Sequence, residues 1–123
     1  MAAMVIRKDT GTAHNGLKDW YWQRLSAVVL LVMLPLPFFL LIAVYSGAFN
    51  QFDLLDVLDH FVSRLLHTLL ILAIIVHAYI GLKVIFEDYV HSTLIRVPLI
   101  GAMLVVTSGF GIWWLAIIWA WGG

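Results

Sequence analysis

Three side chains capable of chemistry lie along one predicted helix: His77, Asp88 and Tyr89. Eleven residues separate His77 from Asp88. At about 100° per residue, both side chains fall on one helix face, about 16 Å apart along the axis. Gly81 shares that face and is predicted to leave a notch where a flat ligand approaches the backbone. A polar group inside a membrane helix has few partners and is costly to leave unpaired. We therefore expect His77 to be a cofactor ligand, in preference to a structural histidine that is satisfied by a hydrogen bond.

Asp88 and Tyr89 are placed where this helix meets the membrane surface. Tyrosine is common at that depth for structural reasons alone. Alternatively, a phenol and a carboxylate that are half-desolvated at the surface can hold and protonate a quinone carbonyl. A quinone dissolved in the bilayer reaches that depth. The two residue types by themselves leave both interpretations open.

Two further residues in apolar surroundings bear on cofactor binding. Neutral imidazole is a good axial ligand of haem iron, and two histidines suit an electron-transfer haem. His67 lies ten residues before His77, which is about 80° round the helix and about 15 Å away, so both cannot ligate one iron. A second ligand would have to come from a partner chain, and His67 is expected to pack at a helix contact or near the outer surface. Arg24 is expected either to reach back to the interface or to pair with an anion at that depth.

The elements that carry these residues are predicted to span a membrane. Of the 123 residues, 63% are hydrophobic and 11% are charged, which is more apolar than a soluble domain of this size can accommodate. Three apolar blocks are each long enough to cross a hydrocarbon core of about 30 Å. We expect an all-α chain with a single membrane domain over residues 1–123. It comprises a polar tail over residues 1–19 and transmembrane helices at about 20–46, 57–87 and 96–121.

Local signals refine these helices. Pro35 and Pro37 each remove a backbone donor, so the first helix is expected to kink near mid-membrane. Asp56 and Asp59 are expected before or in the first turn of the second helix, where negative charge is favourable. Pro98 is expected in the first turn of the third helix, a position that proline tolerates. The tryptophans that follow are typical of an interfacial belt.

The charge distribution predicts the orientation. Basic residues flank the first helix and the connection over residues 87–96, whereas the loop between the first two helices is acidic. The positive-inside rule therefore predicts a cytoplasmic N-terminus and a periplasmic C-terminus. Seven basic and seven acidic residues balance, so nothing indicates nucleic-acid binding. The absence of cysteine excludes disulfides, thiol chemistry and iron–sulfur ligation by this chain.

Two stretches together resemble a known family. The first, residues 77–89, reads H-A-Y-I-G-L-K-V-I-F-E-D-Y. It is similar to the second helix of the smaller (D-type) hydrophobic membrane anchor subunit of bacterial succinate dehydrogenase, or complex II. The second, residues 15–27, reads N-G-L-K-D-W-Y-W-Q-R-L-S-A and resembles that family's entry to its first helix. Length and three spans fit over nearly the whole chain. The larger anchor's S-x-x-H-R-x-T-G string is missing, and the Pro35/Pro37 pair departs from the family pattern.

The resemblance implies roles for four residues. His77 would be one axial ligand of a haem b that is shared with the larger anchor subunit, and Arg24 would approach a haem propionate. Tyr89 would donate a hydrogen bond to a carbonyl of ubiquinone. Asp88 would shape that quinone site and its proton supply.

The resemblance also implies partners, location and function. The chain would be a subunit of succinate:ubiquinone oxidoreductase in the bacterial inner membrane, serving electron transport and the tricarboxylic acid cycle, with no complete active site alone. It would dock the flavoprotein and the iron–sulfur subunit, the latter facing the tail around His14, Asn15 and Asp19. One alternative is an anchor of fumarate reductase or another quinone-linked cytochrome b. A second alternative is a purely structural assembly subunit without a cofactor.

Overall fold

The computed structural model describes the backbone of residues 2–120 and the side chains of residues 16–120. Over that part of the chain the regular elements are all helices, in the order α1 (Ala2–Met33), α2 (Pro35–Tyr45), α3 (Gln51–Asp59), α4 (Phe61–Tyr89) and α5 (Thr93–Ala120). Three segments are long and apolar enough to cross a membrane: Gly16–Tyr45, Phe61–Tyr89 and Thr93–Ala120. The prediction of an all-α chain with three spans is confirmed.

The first span consists of α1 and α2 with an interruption between them. The interruption is at Leu34, directly before Pro35, because proline supplies no N–H and disfavours helical geometry in the residue before it. Leu34 nevertheless keeps helical angles (φ −61°, ψ −33°), so the span continues through it. The predicted polar tail is part of α1 from Ala2 onward. The side chains of His14 and Asn15 lie outside the described residues.

The connection after the first span contains a short helix that the sequence analysis did not predict. Gly47 has a positive φ of 79°, a conformation that glycine adopts at low cost and that ends α2. Asn50 then caps α3, since its side chain accepts hydrogen bonds from the backbone of Phe52 and Asp53 at 2.8 and 3.0 Å. The Asp53 carboxylate accepts the Asn50 N–H at 2.9 Å in return. This reciprocal capping box stabilises α3 as a separate element.

The second span therefore begins later than expected. Asp56 lies before α4, which begins at Phe61, as expected, but it belongs to the separate helix α3. His60 has an extended backbone (φ −62°, ψ 134°) and separates the two helices. Asp59 is the last residue of α3 and forms an ion pair with Arg64 in the first turn of α4.

The third span begins earlier than expected. Because α5 starts at Thr93, Pro98 occupies its second turn and not its first. Pro98 has no N–H to donate to the carbonyl of Leu94, one turn back. Transmembrane helices tolerate such a proline when neighbouring groups satisfy the freed carbonyl.

Helix α4 is the central element, because it packs against α1 on one side and α5 on the other. Few apolar side chains are buried within the described part of the chain. They are Met33, Leu70, Ala73, Ile80, Met103 and Ile118. Most large apolar side chains face outward, as expected of spans that contact lipid or other membrane subunits.

The α4–α5 contact combines close packing with one interhelical hydrogen bond. Gly111 is buried and lies directly against Ile75 of α4. The indole N–H of Trp119 donates to Thr68 Oγ1 at 3.0 Å, and its ring meets Phe61 edge-on. Trp119 therefore ties two helices together, a role beyond the interfacial one that the sequence predicts.

Candidate cofactor site between the first and second spans

His77 faces α1 from the middle of α4. Its Nδ1 lies 3.2 Å from Ser26 Oγ, and Ser26 is only 5% exposed. The same hydroxyl lies 3.0 Å from the backbone carbonyl of Gln23. Within residues 16–120, Ser26 is the one hydrogen-bond partner of the His77 ring. The ring is thus anchored through Nδ1, and Nε2 remains available to bind a ligand.

Arg24 and His77 line one cavity of about 290 Å³, together with Trp20, Gln23 and Ala27. The Arg24 guanidinium lies over the Trp20 ring, 5.7 Å from its centroid, which is a cation–π contact. No carboxylate among the described side chains pairs with Arg24. The guanidinium reaches toward the helix start, as the interfacial interpretation predicts, yet it also borders the cavity that His77 lines, without a carboxylate partner among residues 16–120.

A second, more open cavity that His77 also lines is apolar. It measures about 500 Å³, and every lining residue other than His77 is aliphatic, aromatic or proline. They are Ala27, Leu30, Leu31, Leu34, Pro35, Phe38, Phe39 and Ile42. Ala27 and His77 line both cavities. His77 therefore lies between an apolar cavity and a cavity that contains the Arg24 guanidinium. This arrangement suits a largely apolar ligand with an anionic edge.

The predicted ligand notch at Gly81 is filled by protein. A Cβ at this glycine would lie 3.4 Å from Gln23 Nε2. The small residue therefore makes room for the Gln23 side chain of α1, and the expectation of an open notch is wrong. The physical basis is the usual one for small residues in membrane helices, which allow a neighbouring helix to approach closely.

Asp88 and Tyr89, the two residues at the end of α4 that were predicted to act together, have different surroundings. Asp88 lines a cavity of about 610 Å³ whose other polar lining residues are Asp19, Gln23, Glu87 and Arg96. That cavity shares Trp20 and Gln23 with the Arg24–His77 cavity. Tyr89 is 78% exposed and does not line it. The structure thus connects Asp88, but not Tyr89, to the surroundings of His77.

Asp19 is engaged within the chain. Lys83 Nζ lies 2.9 Å from the Asp19 carboxylate, and their side chains are 24% and 20% exposed. Glu87 is a more distant partner of Lys83, at 3.9 Å. Sequence reasoning missed both this ion pair and the Ser26–His77 contact. Opposite charges at the same membrane depth were the available signal for the ion pair, whereas a lone serine in an apolar block offers almost none.

Three contacts between α1 and α4 follow a single antiparallel alignment. As the residue number increases along α1, the number of the facing residue on α4 decreases. We name these contacts the α1–α4 seam: Asp19–Lys83, Gln23–Gly81 and Ser26–His77. This alignment places Arg24 and His77 at one cavity and Asp19 at the neighbouring cavity that shares Trp20 and Gln23 with it.

His67 is separate from the site. Its Nδ1 lies 2.7 Å from the carbonyl oxygen of Ser63 and 3.4 Å from the Ser63 hydroxyl, both one turn earlier on α4. Among the described residues, no cluster of three or more His, Asp or Glu side chains could hold a metal ion by itself. A metal bound at His77 would thus need ligands beyond the carboxylates and imidazoles of this region.

Three apolar spans with a polar site between the first two define a multi-pass membrane protein. Residues 5–111 match the model of the succinate dehydrogenase/fumarate reductase transmembrane subunit, and the chain belongs to that family. It is 26% identical over 108 residues to the succinate dehydrogenase hydrophobic membrane anchor subunit of Coxiella burnetii, covering 88% of this chain and 92% of the relative. It is 31% identical over 106 residues to the subunit of that name in Rickettsia bellii, covering 83% and 80%. The resemblance found in the sequence is confirmed.

Proposed function

We propose that this chain is the smaller membrane anchor of a bacterial inner-membrane succinate:ubiquinone oxidoreductase, and that it provides half of a haem b site. The observation that carries the haem assignment is the cavity that His77 and Arg24 line together, bordered by an apolar cavity. Haem b has the same distribution of polarity, with an apolar macrocycle and anionic propionates at one edge. Family membership supports the assignment independently.

The residues present fit such a group. His77 would bind the iron through Nε2, because Nδ1 is engaged by Ser26. Arg24 would bind a propionate, since a guanidinium pairs well with a carboxylate and no described carboxylate pairs with it. When bound, haem b supplies a one-electron carrier. A second iron ligand would come from the larger anchor subunit, because His67 lies ten residues from His77 on the same helix, about 15 Å away, which is too far for both to bind one iron.

The quinone site would lie at the end of α4. The Tyr89 hydroxyl would donate a hydrogen bond to a ubiquinone carbonyl, and its 78% exposure leaves it accessible from outside the chain. Asp88 would hold or relay the protons that the reduced carbonyl oxygens take up. Asp88 lines the cavity that shares Trp20 and Gln23 with the haem site, which would place quinone reduction next to the haem pocket.

Anchoring would account for the outward apolar surface. Exposed aromatic and aliphatic side chains occur along all three spans, and lipid together with the larger anchor would cover them. The flavoprotein and iron–sulfur subunits would dock at the end of the bundle where α4 ends and α5 begins. The basic residues near that end predict that it is cytoplasmic.

The reduced-minus-oxidised optical spectrum of the purified complex tests the proposal. We expect His77→Ala to abolish or alter the haem signal, because an axial ligand is lost, and Arg24→Ala to weaken haem retention. His67→Ala is the matched control, since it removes a histidine from the same helix and should leave the spectrum intact. An unchanged spectrum in the His77→Ala complex would instead support a purely structural subunit.

The direction of the reaction is tested separately. The matching family includes transmembrane subunits of fumarate reductase, whereas the two relatives compared above are anchors of succinate dehydrogenase. We expect the purified complex to reduce ubiquinone with succinate faster than it oxidises menaquinol with fumarate. The reverse order of rates would assign the chain to a fumarate reductase.

A further inference from the structure

We propose that Ser26 is a positioning residue for His77: its hydroxyl holds the imidazole in the tautomer protonated at Nδ1, so that Nε2 presents its lone pair. This inference rests on the proposed role of His77 as a haem ligand. It concerns which ring nitrogen binds iron and how strongly that nitrogen donates to it.

The tautomer follows from the hydrogen bonds of Ser26. A serine hydroxyl carries one hydrogen. The 3.0 Å contact with the Gln23 carbonyl uses that hydrogen, because a carbonyl oxygen can only accept. Ser26 Oγ must then act as acceptor toward His77 Nδ1 at 3.2 Å, so Nδ1 carries the proton. Nε2 is left unprotonated, which is the state that a metal ligand requires.

The surroundings favour this arrangement over competing ones. Ser26 is 5% exposed, and the remaining residues around a small cavity beside it are apolar or aromatic. They are Trp22, Leu25, Val29, Leu69, Leu72, Ala73 and Val76. No second polar side chain in the described part of the chain bonds to the His77 ring. Among the side chains of residues 16–120, the hydroxyl is therefore the one group that orients the imidazole across the α1–α4 seam.

A hydrogen bond to the distal nitrogen of a metal-bound histidine fixes the ring and raises its basicity. A more basic ligand stabilises ferric over ferrous iron, so Ser26 would lower the midpoint potential of the haem. Removal of such an outer partner typically weakens metal binding by about 10- to 100-fold. Ser26→Ala is thus expected to raise the midpoint potential and to lower the affinity for haem by a factor within that range, which reduces haem retention on purification.

The test compares variants of the assembled complex. Ser26→Ala removes the hydroxyl, and Ser26→Thr keeps it. Ser63→Ala is the matched control, because it removes the serine hydroxyl that lies beside His67, the other histidine of α4. Haem content, the midpoint potential and the g-values of the low-spin ferric spectrum are measured for each. If the alanine variant fails to assemble, Ser26→Cys provides a weak acceptor of similar size.

We expect Ser26→Ala to change all three quantities, whereas Ser26→Thr and Ser63→Ala match the unmodified complex. If Ser26→Ala and the unmodified complex give equal values while His77→Ala loses haem, the proposed role of Ser26 is overturned and the proposed function of the chain stands. Equal changes in Ser26→Ala and Ser26→Thr would indicate packing and would also overturn that role. Retention of the haem spectrum in His77→Ala would overturn the proposed function and this inference together.

Discussion

Gly111 is predicted to be the glycine of α5 that least tolerates a larger side chain. A Cβ built there would overlap Ile75 Cδ1 and lie 3.3 Å from Ile75 Cγ1. Gly109, two residues earlier on the same helix, has no neighbouring atom within 4 Å of such a Cβ. Gly109→Ala is therefore a matched control, because it adds the same methyl group to the same helix without a steric conflict.

The expected magnitude follows from this pair. Replacing a helical glycine by alanine favours the helix by roughly 0.5–1 kcal/mol, and this gain is common to both variants. Overpacking costs about 1–3 kcal/mol, and only Gly111→Ala incurs it. The free energy of unfolding of Gly111→Ala should thus be about 1–3 kcal/mol lower than that of Gly109→Ala. The lower end applies if Ile75 adopts another rotamer.

The assay is denaturation of the chain in detergent micelles, with tryptophan fluorescence as the reporter; Trp119 contributes to that signal, and its indole bonds to α4. Ile75→Val removes the conflicting Cδ1, so the double variant Ile75→Val/Gly111→Ala should recover stability relative to the sum of the single changes. Equal stability of Gly111→Ala and Gly109→Ala, with no coupling to Ile75, would refute the argument.

Two further predictions concern the end of α4. Tyr89→Phe keeps the ring and removes the hydroxyl, so we expect quinone turnover of the complex to fall while haem content is unchanged; normal quinone kinetics would exclude Tyr89 from the site. Asp19→Asn should lower the free energy of unfolding by about 1–2 kcal/mol, because its pair with Lys83 is more buried than an exposed ion pair but not fully buried. Glu87→Gln is the control with almost no expected loss, since Glu87 lies 3.9 Å from Lys83 and its side chain is 44% exposed.

Features that depend on local sequence were predictable. The three spans follow from the length of the apolar blocks, and the break before Pro35 follows from the missing N–H. His77 was identified as the residue of interest because a histidine in an apolar helix has few partners. Arg24 was identified for the same reason, and both line one cavity. Their roles toward haem remain predictions.

Features that depend on helix register or on short-range capping were missed. Ser26 matters because α1 places it opposite His77. Which residues of two helices face each other cannot be read from a single sequence. The same applies to Lys83, which pairs with a residue 64 positions away. The start of α4 was misplaced for a local reason. Asn50 and Asp53 form a capping box whose spacing can be found in a sequence, and it defines α3 as a separate helix.

The α1–α4 seam joins two polar contacts to a single alignment of these two spans. Sliding α1 by one helical turn, about 5.4 Å, would separate the Asp19–Lys83 ion pair and the Ser26–His77 hydrogen bond at the same time. Ser26 and His77 would find no substitute partner in hydrocarbon, and Asp19, at the end of the predicted polar tail, would lose its ion pair with Lys83. A shift of α1 large enough to break one of these contacts therefore breaks both, so the position of the His77 ring is linked to the Asp19–Lys83 pair.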